Sequence, residues 1–470
     1  MKVTELEALN LGANARILGF DSQTGKFGSL TAAQISGGVP WFGRRWRAGN
    51  SSPIGAPIGD LDLGRTFAHE IGLGGYLVQN NHNRDKLDAS NHNLLKNGGA
   101  ANLTGAAGHY QWGWNVSLWY QNYIEADGSF CESFSLGGPR RGMWNYRIPV
   151  GSRSAAGYAQ MDRTNSILMS TVNDTAQFRG GNNTAAWDGT YRSLLGKPVT
   201  NLPIATLRTA ARKNGTLWFA NERVMQFITA ALKRVILGTR NIQTAFNATL
   251  DANGLRQGGT GMGSDYPATW GSGWQYNPYL DLSVGVDQGD FNGILSTTID
   301  EDGTQRTINN IPSFYGLKND YKYLVCMSEN MILQSNADGS QSLFIDDDID
   351  GSQMDYSTVA GLRKIATGPA AAGGGWQYSK DYSMDHLAFF PKPELGGSTS
   401  TYYCDGYYNP GATSGLRGVI LLGAAYYGDY AGSLYVYGGD ALGGYSALWG
   451  AFLCEWAEEF SSEPVWNEKI

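Results

Sequence analysis

The sequence predicts a β-rich α+β protein. Of its 470 residues, 64 are Gly, 26 are Tyr and 14 are Trp, whereas only 16% are charged. This composition is typical of chains with many strands, tight turns and aromatic surfaces. Residues 202–247 are the one long segment with clear helical periodicity, so helices are expected there. A chain of this length is expected to form about two to four domains.

Two helices are predicted within that segment. Apolar residues recur at three- and four-residue spacing over residues 224–236, which places them on one stripe of a long helix. Asn221 is expected to cap this helix, with Glu222 just inside it and Gly238 at its end. A shorter helix that begins with a proline is predicted within residues 203–215.

The first 36 residues are predicted to form an extended tail and a small hairpin whose turn contains Gly25. They include too few apolar residues to hold a core alone, so we expect them to order against sister chains or a docking surface. An attachment tail is the sharper interpretation, and a frayed terminus is the alternative. The acidic start lacks the apolar run of a secretory signal, and no apolar stretch approaches the ~20 residues that span a bilayer.

Residues 37–180 are predicted to form a β-rich domain with many turns. Residues 110–119 alternate large apolar with small or polar side chains, as a half-buried strand does. His69, His82 and His92 are interpreted as hydrogen-bonded loop histidines, because no third ligand accompanies them at the spacing of a metal site.

Two loops match known ligand-binding motifs only in part. Residues 258–264 are rich in Gly but lack the Gly-Lys-Ser/Thr ending of a phosphate loop, so they predict a close backbone approach instead. Asp346, Asp348 and Asp350 stand at alternate positions, as in the first half of a calcium loop. The twelfth position is Ser357 and not Glu, which favours a solvated acidic turn, with calcium binding as the alternative.

Charge and cysteine content argue against several classes of protein. The formal net charge is −7, whereas a nucleic-acid surface needs clustered Lys and Arg. We therefore expect no nucleic-acid partner, and no membrane insertion. The four cysteines form no Cys-x-x-Cys pair, which supports neither a zinc site nor a redox motif and predicts buried free thiols, with disulfides as the alternative. They are Cys131, Cys326, Cys404 and Cys454.

The last part of the chain carries the strongest functional signal. Residues 419–422 indicate a buried strand bounded by glycines. Around this strand Tyr, Gly, Ser and Asp dominate, a combination that supplies rigid aromatic contact area with small polar groups between the rings. The predicted ligand-binding residues are Tyr426, Tyr427, Asp429, Tyr430, Ser433, Tyr435, Tyr437, Asp440, Tyr445 and Ser446.

The order of these segments resembles a known family. The short helix with basic residues is followed by Asn-Gly, Trp218, the long helix, Asn241-Ile242-Gln243 and a run of glycines. Residues 417–423 and 448–453 then resemble two closing strands around a ligand-binding loop. This order resembles the C-type-lectin-like domains of phage tail and fibre proteins, including hypervariable targets of diversity-generating retroelements. The resemblance covers roughly residues 170–460.

The resemblance implies a C-type-lectin-like, two-helix receptor-binding domain at residues 181–470, preceded by the β-rich domain and the extended tail. It implies a bacteriophage virion protein, a tail or head fibre, that binds a glycan or protein on the host surface. Such a fibre would be a homotrimer that contacts other virion proteins through residues 1–36. It would be assembled in the host cytoplasm, and it would be neither an enzyme nor dependent on a cofactor.

Other functions stay open at this point. A structural decoration protein of the virion would bury the same aromatic residues between subunits and bind no receptor. A glycan-cleaving tail spike would need a carboxylate pair in a groove, and no pair stands out in the sequence. The same fold includes formylglycine-generating enzymes, but neither Cys404 nor Cys454 has a base or basic cluster beside it in sequence that would favour a reactive thiolate.

Overall fold

The structure, a computed structural model, describes residues 16–21, 26–31, 38–266, 278–349, 354–371 and 373–467. It is a β-rich α+β fold with 37% strand and 13% helix, as the composition predicts. The α-helices of the described residues are α1 (Leu61–Glu70), α2 (Ile204–Arg212) and α3 (Arg223–Leu237).

Two large sheets contain many of the described strands. The six-stranded sheet has the order β33 (Val465–Trp466), β11 (Trp144–Ile148), β9 (Leu118–Ile124), β10 (Phe130–Leu136), β3 (Trp41–Trp46) and β4 (Ala56–Gly59). The seven-stranded sheet has the order β15 (Trp218–Ala220), β32 (Leu453–Trp456), β12 (Gly151–Ser154), β8 (His109–Gly113), β5 (Gly74–Val78), β6 (Arg84–Asp88) and β7 (Asn91–Leu95).

Smaller sheets are built mainly from the second half of the chain. The five-stranded sheet has the order β21 (Cys326–Met327), β30 (Ile420–Leu422), β31 (Gly432–Tyr437), β28 (Tyr407–Asn409) and β25 (Gly375–Gln377). The four-stranded sheet has the order β24 (Arg363–Thr367), β23 (Gln341–Ile345), β22 (Met331–Ser335) and β29 (Gly415–Arg417). The three-stranded sheet has the order β18 (Gly293–Glu301), β19 (Thr304–Phe314) and β20 (Leu317–Lys318). The two-stranded sheets are β1 (Arg16–Asp21) with β2 (Lys26–Thr31), β13 (Gln160–Asp162) with β14 (Ile167–Met169), β16 (Phe246–Asn247) with β17 (Gln257–Gly258), and β26 (Tyr382–Ser383) with β27 (Phe390–Pro391).

The seven-stranded sheet joins residues from both sides of the predicted domain boundary. Strand β12 pairs with β8 on one side and with β32 on the other, where Gly151 lies opposite Trp456. Strand β15 completes the sheet beside β32. One hydrophobic core likewise contains residues of both regions. Residues 37–180 and 181–470 therefore share a sheet and a core, and residue 180 does not separate two independent cores.

Helix α3 is confirmed, but it is buried on every side and not along one stripe. It contacts strands of the six-, seven- and five-stranded sheets. The cap is the Glu222 side chain, which accepts two N–H groups of the first turn at 2.7 and 2.8 Å. The expected cap, Asn221, instead accepts the N–H of Phe452 at 2.8 Å and so ties the start of α3 to the C-terminal strands. Gly238 ends the helix with φ 70°, as expected.

Two buried ion pairs connect α3 to distant parts of the chain. The Lys233 ammonium donates to both carboxylate oxygens of Asp320 at 2.7 Å, and neither side chain is more than 1% exposed. Arg234 donates to both carboxylate oxygens of Glu132 at 2.6 and 2.9 Å. Lys233 and Arg234 are tolerated on a fully buried helix because each has a buried carboxylate as its partner.

Local signals also predicted the short helix and the N-terminal hairpin. Helix α2 begins after Pro203 and its last turn is followed by Asn214 and Gly215. Strands β1 and β2 pair antiparallel, as expected for the hairpin. Its turn at residues 22–25 and the remaining parts of the tail, residues 1–15 and 32–36, lie outside the described residues.

The region 37–180 differs from the prediction in two places. Residues 61–70 form α1, which was not expected in this turn-rich region, and the Asp60 side chain caps it by accepting two N–H groups of the first turn. Residues 110–119 do not form one strand. Strand β8 ends at Gly113 and β9 begins at Leu118 in the other large sheet, so the alternation spans the end of one strand and the start of another.

Candidate functional site

An aromatic row crosses the five-stranded sheet. Trp376 on β25 lies opposite Tyr408 on β28, and Tyr408 lies opposite Tyr437 on β31. The ring centroids of Trp376 and Tyr408 are 5.3 Å apart, and those of Tyr408 and Tyr437 are 4.5 Å apart with nearly parallel rings. Residues opposite each other on paired strands share one face of the sheet. The three half-buried rings therefore form one continuous surface.

A turn between β30 and β31 places two more tyrosines on this row. The segment Ala425–Tyr430 is a short 3-10 helix interrupted at Gly428, whose φ of 58° suits a residue without a side chain. The ring of Tyr430 stacks on Trp376 with centroids 4.3 Å apart and an interplanar angle of 21°. The ring of Tyr427 meets Trp376 edge-on at 5.3 Å. Trp376 thus lies at the centre of the aromatic surface.

Two further tyrosines extend the surface outwards. Tyr378 stacks on Tyr430 with centroids 5.5 Å apart. The ring centroids of Tyr426 and Tyr427 are 4.4 Å apart. Tyr426 is the most exposed residue of the group, with 43% of its surface accessible to solvent. We define the aromatic patch as Trp376, Tyr378, Tyr408, Tyr426, Tyr427, Tyr430 and Tyr437.

Burial keeps the phenols of Tyr378, Tyr427 and Tyr437 protonated. Desolvation raises the pKa of Tyr437 to about 12 and raises the pKa of Tyr378 and Tyr427 further. Their hydroxyls are therefore neutral hydrogen-bonding groups at physiological pH. Asp429 is exposed on the same turn, and burial raises the pKa of the half-buried Asp440 above its usual value. Ring faces beside neutral hydroxyls and a few acids match the alternating apolar and hydroxylated surfaces of a sugar.

The structure brings Tyr426, Tyr427, Tyr430 and Tyr437 of the predicted binding residues together in the aromatic patch, and it places Asp429 beside them. The remaining predicted residues outside β31 are Asp440, Tyr445 and Ser446. They lie on the segment that follows this strand. Tyr445 is 61% exposed, and Ser446 is half-buried with its hydroxyl accepting the N–H of Leu448.

Ser433 and Tyr435 do not reach the surface, contrary to the prediction. They are 3% and 0% exposed, because other parts of the chain cover them: Gln226 of α3 donates to the Ser433 carbonyl, and the ring of Tyr427 lies 5.5 Å from that of Tyr435. The Tyr435 ring lies 5.5 Å from Trp376 and supports the aromatic patch from within. These two residues can position the rings that meet a ligand, but they cannot contact a ligand on the surface themselves.

Trp376, Tyr378 and Tyr408 belong to the aromatic patch although they were not among the predicted residues. Tyr408 closes the tyrosine-rich tract at residues 400–408, and Trp376 and Tyr378 stand two residues apart after a run of glycines. That spacing indicates one face of a strand. Only the order of β25, β28 and β31 in the sheet shows that these rings meet the predicted tyrosines.

The acidic loop is described in part. The Asp346 carboxylate accepts the N–H of Asp348 at 3.0 Å, as in a hydrogen-bonded acidic turn. Asp350, the third candidate ligand for calcium, lies outside the described residues.

One cluster in the described part of the chain brings possible metal ligands together. Side-chain atoms of Asp347, His386 and Glu463 lie within 4.8 Å of one another. Arg363 donates to both oxygens of Asp347 at 2.7 and 2.8 Å and also pairs with Glu463. The guanidinium already supplies positive charge to both carboxylates, so the cluster is an ion-pair network.

His92 is a buried residue of β7 and not a loop histidine. Its Nε2 lies 2.8 Å from Asp290, and its Nδ1 lies 2.7 Å from the hydroxyl of Tyr110. The Lys318 ammonium donates to the same hydroxyl at 2.7 Å. Burial lowers the pKa of Lys318 to about 7 and the pKa of His92 to about 4. The side chains of His92, Tyr110 and Lys318 are buried, so this network belongs to the core of the protein.

The cysteines are free and buried, as predicted. Burial raises the pKa of Cys131 to about 11 and that of Cys326 to about 12, and it also raises the pKa of Cys404 and Cys454. All four thiols therefore stay protonated at physiological pH.

No protein-family model matches the chain, and no curated protein matches it either. None of the helices in the described part of the chain has the length and apolar character needed to span a bilayer.

Proposed function

We propose that this protein is a bacteriophage virion fibre whose aromatic patch binds a glycan on the host surface. The observation that carries the proposal is the patch itself, in which partly exposed rings lie side by side on a sheet. Sugars present apolar C–H faces that pack on aromatic rings, and their hydroxyls bond to neutral and acidic groups at the edge. A preformed surface of this kind binds without a large ordering cost.

The order of elements supports a C-type-lectin-like fold as part of this proposal. Helix α2, strand β15 and helix α3 follow one another as the resemblance leads us to expect. The turn that carries Tyr426, Tyr427 and Tyr430 lies between residues 417–423, which include β30, and residues 448–453, which reach β32 only at Leu453; the resemblance expects closing strands in these two segments. The family binds its ligands through a loop at this position. The position of the tyrosine-bearing turn therefore supports both the proposed fold and the proposed binding site.

We further propose a homotrimer that joins the virion through residues 1–36. An isolated two-stranded hairpin such as β1–β2 is only marginally stable in water, which favours a partner surface for this segment. The proposed role is binding without catalysis, and calcium binding at Asp346, Asp348 and Asp350 stays a prediction. The alternative, a structural decoration protein, would bury the aromatic patch between subunits.

Simultaneous replacement of Tyr426, Tyr430 and Tyr437 by alanine is expected to weaken binding to host cells by about a hundredfold or more. The reason is that central aromatic anchors each contribute about 2 kcal/mol or more to a binding surface, and about 1.4 kcal/mol corresponds to tenfold. The measurement is saturation binding of the labelled, size-characterised chain to cells of a candidate bacterial host, with and without competing surface glycan.

The Tyr191→Ala variant is a matched control, because Tyr191 is 48% exposed and lies outside the aromatic patch. It is expected to bind like the wild type. A folded triple variant with undiminished binding would show that the site assignment is wrong. If the folded wild-type chain does not bind cells of the correct host, the alternative of a structural decoration protein is favoured.

A further inference from the structure

A separate cavity of about 550 Å³ lies beside α2. Arg163 and Lys213 contribute positive charge to its wall, and Ser166 and Asn183 contribute a hydroxyl and an amide. None of these residues belongs to the aromatic patch. We call this space the α2 cavity. Its volume falls within the range of small-molecule sites.

Within the described part of the chain, the two cations of the α2 cavity bond to backbone carbonyls and not to carboxylates. Arg163 donates through Nε to the carbonyl of Arg179 at 2.9 Å and through Nη2 to the carbonyl of Gly181 at 2.8 Å. Lys213 donates to the carbonyl of Asn165 at 2.8 Å. Among the described residues, no carboxylate forms an ion pair with either side chain. Burial and the nearby Arg179 lower the pKa of Arg163 to about 10. Both side chains are charged at neutral pH, Arg163 half-buried and Lys213 exposed at the rim, so an anion in the cavity would form charge-assisted hydrogen bonds with them.

The remaining walls combine polar and apolar groups. The hydroxyl-bearing residues Ser166 and Thr206 and the amide of Asn183 offer hydrogen-bonding groups near the cations. Met161 and Leu202 supply an apolar wall.

We propose that the α2 cavity binds a carboxylated sugar, such as a uronic acid unit of a polysaccharide. The cations would hold the carboxylate, the hydroxyls and the amide would bond the sugar hydroxyls, and the apolar wall would pack against the C–H face of the ring. A free carboxylate or phosphate has no sugar ring, so it would bind to the two cations without contacting the apolar wall. This site is independent of the aromatic patch and therefore of the function proposed above.

Calorimetric titration of the full chain with glucuronate tests this proposal, with glucose, acetate and inorganic phosphate as comparison ligands. We expect glucuronate to bind with a Kd on the order of 1 mM, as suits one sugar unit, and each comparison ligand to bind at least about tenfold more weakly. Substitution Lys213→Gln is expected to weaken glucuronate binding by about tenfold, because it removes a charge-assisted contact.

Two further variants keep the test decisive if one substitution perturbs folding. Ala205→Phe places a large ring in the α2 cavity from the exposed side of α2 and is expected to abolish binding. Lys364→Gln removes an exposed lysine elsewhere and is expected to change nothing. The proposal is overturned if glucuronate fails to bind up to about 10 mM, if glucose, acetate or phosphate binds as tightly, or if folded Ala205→Phe binds like the wild type.

Discussion

Replacing Asp320 with asparagine is expected to lower the free energy of unfolding by about 3–5 kcal/mol, because the change leaves the buried Lys233 ammonium without a counter-ion. Lys233 lies on the fully buried helix α3, and its ammonium has both oxygens of Asp320 at 2.7 Å. Other groups near the ammonium include the rings of Tyr321 and Phe314, whose centroids lie 5.0 and 5.8 Å away. Rings at these distances cannot replace a carboxylate.

Urea unfolding at neutral pH measures this effect, provided that the transition is cooperative. The control is Glu458→Gln, which removes an ion pair with Arg147 whose partners are 39% and 49% exposed, and which should cost no more than about 1 kcal/mol. The double variant Lys233→Met with Asp320→Leu should recover most of the loss, because it removes both charges together. A single variant Asp320→Asn as stable as the control would refute the importance of this pair.

The stability of the protein is expected to rise between about pH 7 and pH 10 because of Lys318. This lysine is 1% exposed, and its ammonium contacts the hydroxyl of Tyr110 and Nδ1 of His92. In the folded protein its pKa is about 7, whereas a lysine in an unfolded chain has a pKa of about 10.4. Between these values the unfolded chain binds more protons than the folded chain, so raising the pH favours the folded state.

The comparison of wild type with Lys318→Met isolates this contribution, because other titrating groups largely cancel in the difference. The stability of the wild type relative to the variant should increase by up to about 1.4 kcal/mol per pH unit above pH 7. Burial lowers the pKa of His92 to about 4 and raises that of Tyr110 above its usual value, so both neighbours keep their protonation state over most of this range. Parallel stability curves for the two proteins would contradict the assignment.

Local signals in the sequence predicted the helices of the second half of the chain well. The apolar spacing and Gly238 define α3, and the proline start and Asn214-Gly215 define α2. The partners of α3 could not be predicted in this way, because Asp320 and Glu132 are 87 and 102 residues away from the side chains that they neutralise. For the same reason, periodicity predicted one buried stripe where tertiary packing covers the whole helix.

The aromatic patch was predictable in composition but not in geometry. The tyrosines of the turn after β30 stand out in the sequence, whereas Trp376 belongs with them only because β25 and β28 are neighbours. Sequence alternation also cannot show that α3 and the ring of Tyr427 pack against β31, which is why Ser433 and Tyr435 were expected at the surface. Strand order is a long-range property, and it decides which rings share a face.

The most direct test of the central claim is calorimetric titration of the purified chain with soluble surface polysaccharide from a host. The aromatic patch predicts saturable binding that the Trp376→Leu variant weakens by about tenfold or more, since this ring contacts Tyr408, Tyr427 and Tyr430 at the centre of the surface. The Tyr191→Ala control should match the wild type. A folded chain that adheres to host cells but does not bind their polysaccharide would contradict the claim that the aromatic patch recognises a glycan.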